Sequence, residues 1–341
     1  MIGNNNMIIL HNYCRKIFFI CLLAISIIFA SRACFAADSS EKNMNKSFLL
    51  TETNTITDMI NHPALADFGE HLLPRAQDKE SHLLLHDVGR LMPWHSHIMP
   101  QVVVQAVNRM ITDSIAGKKV FYHFYEEQSK KTQTGLFYFR GKEGAPFALI
   151  CPGGGFVYVG SLHEGFPLAE VISQKGYNAF VLQYRTGDEM TACEDMAAAL
   201  SWIFENAESL GISTAGYSVW GGSAGARMAA DLGSLGAAAF GGKDIPRPAA
   251  VIMAYTGHGR YTENDPPTFA VASSDDPIAS AYVMEKRINC LKQAGIPTAF
   301  HVYHHAGHGF GTGKGTDAEN WMDLAVHFWQ EQIKSITNRN N

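Results

Sequence analysis

From Pro146 onward, short apolar runs alternate with helical stretches, and this alternation fixes the fold class before any single residue is considered. Residues 145–151, 178–184, 217–220, 249–254, 268–272 and 297–303 read as strands. Residues 166–174, 193–210, 224–232, 278–294 and 319–333 read as helices. Near-continuous apolar strands joined by helices call for an α/β architecture, a mainly parallel sheet covered by helices on both faces. Ahead of it, 119–125 and 135–140 carry Phe and Tyr at alternating positions and read as antiparallel strands, joined by a polar loop through Glu126, Gln128, Lys130, Lys131 and Gln133. From about Ser40 to Asp113 the pattern is helical and irregular. Val103, Val104, Val107 and Ile111 give it one helix-like apolar face, suited to a cap or edge packed on the domain that follows.

The first 36 residues read as an export signal. Arg15-Lys16 precede 14 uncharged residues, Ile17 to Ala30, and Cys34-Phe35-Ala36 ends the segment before the polar Asp38-Ser39-Ser40. Fourteen helical residues span roughly 21 Å, short of the ~30 Å hydrocarbon core, so cleavage after Ala36 is expected rather than a retained anchor. Arg32 argues against lipid attachment at Cys34. The expected organisation is a signal at 1–36, an extension or cap at 37–113 and the main domain at 114–341, periplasmic or secreted, without stable membrane insertion. Loss of Arg15, Lys16 and Arg32 moves the formal charge from −5 to −8, and no Lys/Arg-rich run exists, which excludes a nucleic-acid partner. Cys151, Cys193 and Cys290 remain, an odd number, so at least one thiol is unpaired even in an oxidising compartment. No C-x-x-C pair suggests a zinc ribbon or a thioredoxin-type site.

The sharpest local signal is Gly221-Gly222-Ser223-Ala224-Gly225, a G-x-S-x-G after an apolar strand and before a helix. Small residues two before and two after the serine let strand and helix approach, and the turn presents the hydroxyl at the end of the sheet. The helix N-terminus favours negative charge developing there. Taken alone, the motif is also compatible with a serine that merely caps a helix. Pro152-Gly153-Gly154-Gly155-Phe156 follows an earlier strand, and its glycines leave N–H groups free for a ligand oxygen. Gly154 and Gly155, with the N–H of Ala224, are the candidate oxyanion donors. No Gly-Lys-Ser/Thr closes the run, so it is not a P-loop.

A serine hydroxyl needs a base, and an imidazole base needs a carboxylate to fix its tautomer. Asp275 and Asp276 both stand at the end of the strand 268–272; His308, between two glycines, follows the strand 297–303. His301, His304 and His305 crowd the same region, but a metal requires one convergent face and usually a more distant ligand, so no metal is expected. His95 and His97 are expected to make solvent or cap contacts. Cys151 precedes Pro152 at a buried strand end and reads as inert. Phe156, Tyr158 and Tyr261 are candidate pocket-lining aromatics.

With these residues in view, the sequence resembles the α/β-hydrolase superfamily, and within it the bacterial acetyl esterases and xylan- or feruloyl-esterase-like proteins. The resemblance spans about 135–333 and rests on Pro152-Gly153-Gly154-Gly155-Phe156, Ser161-Leu162-His163-Glu164-Gly165-Phe166-Pro167, Tyr184-Arg185, the serine turn, Asp276 and Gly307-His308-Gly309-Phe310. It implies Ser223 as nucleophile, His308 as base, Asp276 as its partner, with Asp275 left to cap the following helix, and a structural pair between Glu164 and Arg185. Two departures stand out: Pro152 where many relatives have a histidine, and Gly222 where bulkier residues are common. The activity implied is hydrolysis of short-chain carboxylic esters, small or carried on oligosaccharides, through an acyl-enzyme and without a metal or organic cofactor. The alternatives are a non-catalytic binding protein of the same fold, or a serine peptidase or lipase. The stretch before the core is too short for the substrate-sizing domain of prolyl oligopeptidases, and no long amphipathic lid helix is apparent. A dienelactone-type hydrolase would need a cysteine nucleophile.

Overall fold

The computed structural model describes residues 48–125 and 133–340. The segment at 1–36 read as an export signal, with Cys34, and most of the polar loop after Tyr125 lie outside them.

Eight strands form one sheet in the order β1-β2-β4-β3-β5-β6-β7-β8. They are β1 (Phe121–Tyr122), β2 (Gly135–Phe139), β3 (Pro146–Cys151), β4 (Asn178–Gln183), β5 (Ser213–Gly222), β6 (Ala250–Ala254), β7 (Thr268–Ser273) and β8 (Thr298–Tyr303). β1 and β2 run antiparallel at one edge; from β4 to β8 every pairing is parallel. The central strands are buried on both faces, as their unbroken apolar runs require: Leu149, Val219, Val251 and Phe269 are at most 1% exposed. Edge strand β8 is only half-buried, and its His301 ring packs tilted against Phe269 at 5.3 Å.

Six helices of nine residues or more are seen among the described residues: α1 (Pro100–Ile115), α2 (Phe166–Gln174), α3 (Glu189–Glu205), α4 (Ala224–Leu235), α5 (Ala281–Gln293) and α6 (Trp321–Asn340). Several boundaries differ from the sequence reading, three of them for evident local reasons. Helix α3 begins at Glu189 rather than 193, because Asp188 caps it by accepting from Thr191 N at 2.8 Å. It stops at Glu205, and a separate turn, Ala207–Leu210, ends at Gly211 with φ 67°. Helix α5 starts at Ala281 rather than 278, since the N–H groups of Ile278 and Ala279 are taken by the Asp276 side chain.

Leu50–Asn341 forms one compact unit. Within it, the residues ahead of the sheet are short turns plus α1. A capping box at Thr55 and Asp58 opens the helix Ile56–Ile60. The predicted apolar face of α1, with Val103, Val104, Val107 and Ile111, is buried, and Gln105 of α1 donates to Glu170 of α2 at 3.1 Å. None of the helices among the described residues is long and apolar enough to cross a membrane.

Candidate active site

Strand β5 enters a sharp turn at Ser223, whose φ of 50° and ψ of −115° are strained for a residue with a Cβ. Its N–H donates to Ala254 O at 2.9 Å, which ties the turn to β6. The turn needs its glycines. A Cβ on Gly225 would lie 1.8 Å from Cys151 O, and one on Gly221 would lie 2.2 Å from the Gly225 carbonyl. Gly222 is required too, although relatives often carry more there: a Cβ would sit 2.6 Å from Glu164 Oε2 and 2.8 Å from the Tyr255 ring.

Ser223 Oγ, His308 and Asp276 form one hydrogen-bonded chain. His308 Nε2 lies 2.9 Å from Ser223 Oγ, and its Nδ1 lies 2.7 Å from Asp276 Oδ2. Both partners of that inner contact are withdrawn from solvent, with side-chain exposures of 5% and 0%. The other oxygen of Asp276 accepts from the N–H groups of Ile278 and Ala279 at 2.8 and 2.9 Å, so the carboxylate is fixed at both ends. Contrary to the expectation, Asp275 does not cap the following helix, because the N–H groups there are taken by Asp276; it points elsewhere. It accepts from Ser273 Oγ and from Gly307 N, the residue before the histidine, and the serine hydroxyl holds its carboxyl below the usual range.

Facing the serine, Gly153, Gly154 and Gly155 bend away from β3, the latter two at φ 130° and 61°. Among the described residues, no group accepts from the N–H of Gly154, Gly155 or Ala224. A cavity of about 310 Å³ opens over this corner, lined by Trp94, His95, Gly154, Gly155, Ser223, Ile278 and His308. Tyr158 is buried behind Trp94, their rings stacked at 5.3 Å. Tyr261 lines a separate cavity with Glu189, Asp231 and Arg260, and Phe156 is half-buried at φ 60°.

Two expectations are overturned. Glu164 and Arg185 do not pair: Arg185 makes a forked contact with Asp195, while Glu164 is fully buried against His95 and Gly153 N–H. A guanidinium finds a planar carboxylate one helix away, and the buried carboxylate takes the nearest donors. Nor does His95 make a mere solvent contact; its side chain is 2% exposed. Among the remaining histidines, His304 Nδ1 lies 3.0 Å from Ser274 Oγ, and the backbone N–H groups of His304 and His305 donate to Asp317. No group of three or more His, Cys, Asp or Glu side chains suited to a metal ion occurs among the described residues. Cys151, Cys193 and Cys290 are free thiols, and burial pushes the Cys151 thiol well up.

Burial sets two further charge states beside the site. His163, whose Nε2 lies 2.9 Å from Gly309 O, is pushed down to about 4 by desolvation, with His95 adding to the effect. For Glu164, burial alone would raise the pKa, but His95 and the Gly153 N–H outweigh it and hold the group at about 2. Both lowered values act in the same direction. As pH falls from about 6.5, the unfolded chain protonates its histidine while folded His163 does not, until about 4; below about 4.5 the same holds for Glu164 down to about 2. Each shift corresponds to about 3 kcal/mol of stability, present at neutral pH and lost through its window. Thermal unfolding is expected to move to lower temperature progressively as pH falls below 6.5 and onward through the Glu164 window. A Tm unchanged between pH 7 and pH 4 would contradict this.

A sheet of this order, carrying a serine at the β5–α4 turn and a histidine after the last strand, defines the α/β-hydrolase fold. The BD-FAE family model matches residues 139–246, which contain the glycine loop and the serine turn. No curated protein gives a significant match. Among solved structures, the chain is similar to an α/β-hydrolase enzyme from a Medee basin deep-sea metagenome library, with 24% identity and a TM-score of 0.52 over 63% of this chain and 97% of that one. It is also similar to an acetyl ester-xyloside bifunctional hydrolase from Caldicellulosiruptor lactoaceticus, with 18% identity and a TM-score of 0.55 over 62% and 95%. The propionate-bound esterase of Thermogutta terrifontis gives 17% identity and a TM-score of 0.52 over 62% and 93%.

Proposed function

We propose that this protein is an exported serine esterase that hydrolyses short-chain carboxylic esters, acetyl-type groups on carbohydrate among them, through an acyl-enzyme. The observation that carries this reading is the chain of contacts from Asp276 through His308 to Ser223, at 2.7 and 2.9 Å, beside three N–H groups without acceptors. In this mechanism Ser223 Oγ attacks the ester carbonyl as His308 Nε2 takes its proton. The carbonyl oxygen becomes an oxyanion received by the N–H groups of Gly154, Gly155 and Ala224. His308 then returns the proton to the leaving alcohol, and water repeats the sequence to free the acid. Asp276 stabilises the imidazolium throughout.

The cavity lining supports an uncharged, compact acyl group. Among the described residues no Lys, Arg, Asp or Glu lines it, and the Trp94 ring closes against Gly155 so tightly that a Cβ there would lie 2.7 Å from it. The neighbours named above for an acetyl ester and for bound propionate accord with this size. Residues 1–36 serve export in this reading, so the secreted or periplasmic protein begins at Ala37, as N-terminal sequencing would reveal. The test of function is hydrolysis of p-nitrophenyl acetate, butyrate and octanoate by the mature protein. Acetate and butyrate are expected to exceed octanoate in kcat/KM by ~10-fold or more. Trp94→Ala is expected to narrow that gap by raising octanoate turnover. A wild-type preference for octanoate would refute the short-acyl assignment. Absence of all turnover, with no labelling by a fluorophosphonate, would favour a non-catalytic binding protein.

A further inference from the structure

Residues 94–96 come from ahead of the sheet, yet they are wedged between the two loops that meet at Ser223. Ser96 N–H donates to His308 O at 2.8 Å. A Cβ on Gly307 would meet Ser96 Oγ at 2.7 Å, and one on Gly309 would meet His95 Cδ2 at 2.9 Å. On the other side, a Cβ on Gly160 would meet His95 Nε2, also at 2.9 Å. His95 therefore fills the gap between the catalytic-histidine loop and the end of the glycine loop.

Each ring nitrogen of His95 faces a partner, Tyr158 through a hydrogen bond and Glu164 through a close ion-pair contact. Nδ1 lies 2.9 Å from Tyr158 Oη, and Nε2 lies 3.0 Å from Glu164 Oε1. The second oxygen of Glu164 accepts from Gly153 N–H at 2.5 Å. Tyr158, in turn, accepts from Trp94 N at 3.3 Å and donates its own N–H to Gly154 O at 3.2 Å. Two routes thus run from one imidazole to the glycine loop, one through a buried carboxylate to Gly153 and one through a tyrosine to Gly154. The loop has no side chains of its own from 153 to 155 with which to fix its peptide planes, and φ of 130° and 61° at Gly154 and Gly155 are orientations a glycine leaves readily. Oxyanion donors act only when aimed where charge develops, and small misplacements are costly in rate.

We propose that His95 is a positioning residue for acyl transfer: clamped between Glu164 and Tyr158, it holds the 153–155 loop so that the Gly154 and Gly155 N–H groups point at the oxyanion. This role rests on the esterase reading of the same site. Because the contact improves as charge develops, its loss falls on kcat rather than on substrate binding.

The experiment compares His95→Phe, His95→Gln and Tyr158→Phe with wild type in the mature protein, measuring kcat and KM for p-nitrophenyl acetate together with Tm. His95→Phe is expected to lower kcat by ~10–100-fold with KM within ~3-fold. His95→Gln, whose amide can donate to Glu164, is expected to recover most of that loss. Tyr158→Phe keeps the ring packing and is expected to lower kcat by ~3–10-fold. A folded His95→Phe with wild-type kcat overturns the proposal, as does a loss confined to KM, which would make His95 a substrate contact. Should His95→Phe fail to fold, Tyr158→Phe decides, and a wild-type kcat there overturns it. A wild type with no ester turnover removes the esterase reading and this role with it. An active wild type matched by both His95→Phe and Tyr158→Phe removes this role alone.

Discussion

Ser223→Ala is expected to reduce kcat for p-nitrophenyl acetate by ~10⁴-fold or more and to abolish labelling by a fluorophosphonate, while leaving Tm within a few degrees of wild type. The rate falls because no other nucleophilic hydroxyl or thiol lines the cavity among the described residues. Cys151 is fully buried with its thiol pushed well up, and the residues around Ser223 Oγ are backbone, Trp94, Ile278 and imidazoles. What survives should be the contribution of the oxyanion donors and of binding, which still act when a water attacks the ester carbonyl in place of the serine. Stability changes little because the strain sits in the backbone: alanine inherits the φ of 50° and loses only the contact to His308 Nε2. The comparison also separates the rival readings. Equal turnover in wild type and Ser223→Ala would place the activity elsewhere, and turnover without labelling would deny the serine its role.

Much of this arrangement is legible in sequence because it is local. Glycines flanking Ser223, the triple glycine after β3 and the glycines around His308 each announce a sharp bend at a strand end, and the parallel sheet brings strand ends to one side. Apolar strand cores were equally readable, since burial on both faces leaves no polar interruption. What escaped was set by contacts far apart in the chain. His95 sits in an irregular stretch without periodicity, so nothing local predicts that it reaches Glu164. The available signal was indirect: Pro152 stands where an imidazole is common, so some other group had to orient the glycine loop. Arg185 was matched with the wrong acid for a related reason. Asp195 lies in α3, fully buried, and only the fold, which brings that helix back against Arg185 just after β4, reveals it as the partner. Helix starts were missed where a polar cap outweighed apolar spacing, at Asp188 and again at the turn closed by Asp276.

The two adjacent acids supply the second large effect. Asp276→Asn is expected to lower kcat by ~10⁴-fold with the fold intact, whereas Asp275→Asn is expected to stay within ~5-fold of wild type. The difference follows from what each carboxylate accepts. Asp276 receives three donors, two backbone N–H groups on Oδ1 and the His308 ring on Oδ2. An asparagine must choose. With its carbonyl toward the Ile278 and Ala279 N–H groups, its NH₂ faces His308 Nδ1 and forces the proton onto Nε2, where it can no longer accept from Ser223. With the amide reversed, its NH₂ opposes two backbone donors, and both lose their acceptor. The first arrangement costs less, so the variant folds with the wrong tautomer. Asp275 accepts from Ser273 Oγ and Gly307 N, both on the same oxygen, and an asparagine carbonyl serves both. Its ionised state, favoured by the serine hydroxyl, adjusts the loop before His308 without touching the ring. Measured kcat for the two variants side by side distinguishes these roles, and a large loss in Asp275→Asn with a mild one in Asp276→Asn would reverse the assignment.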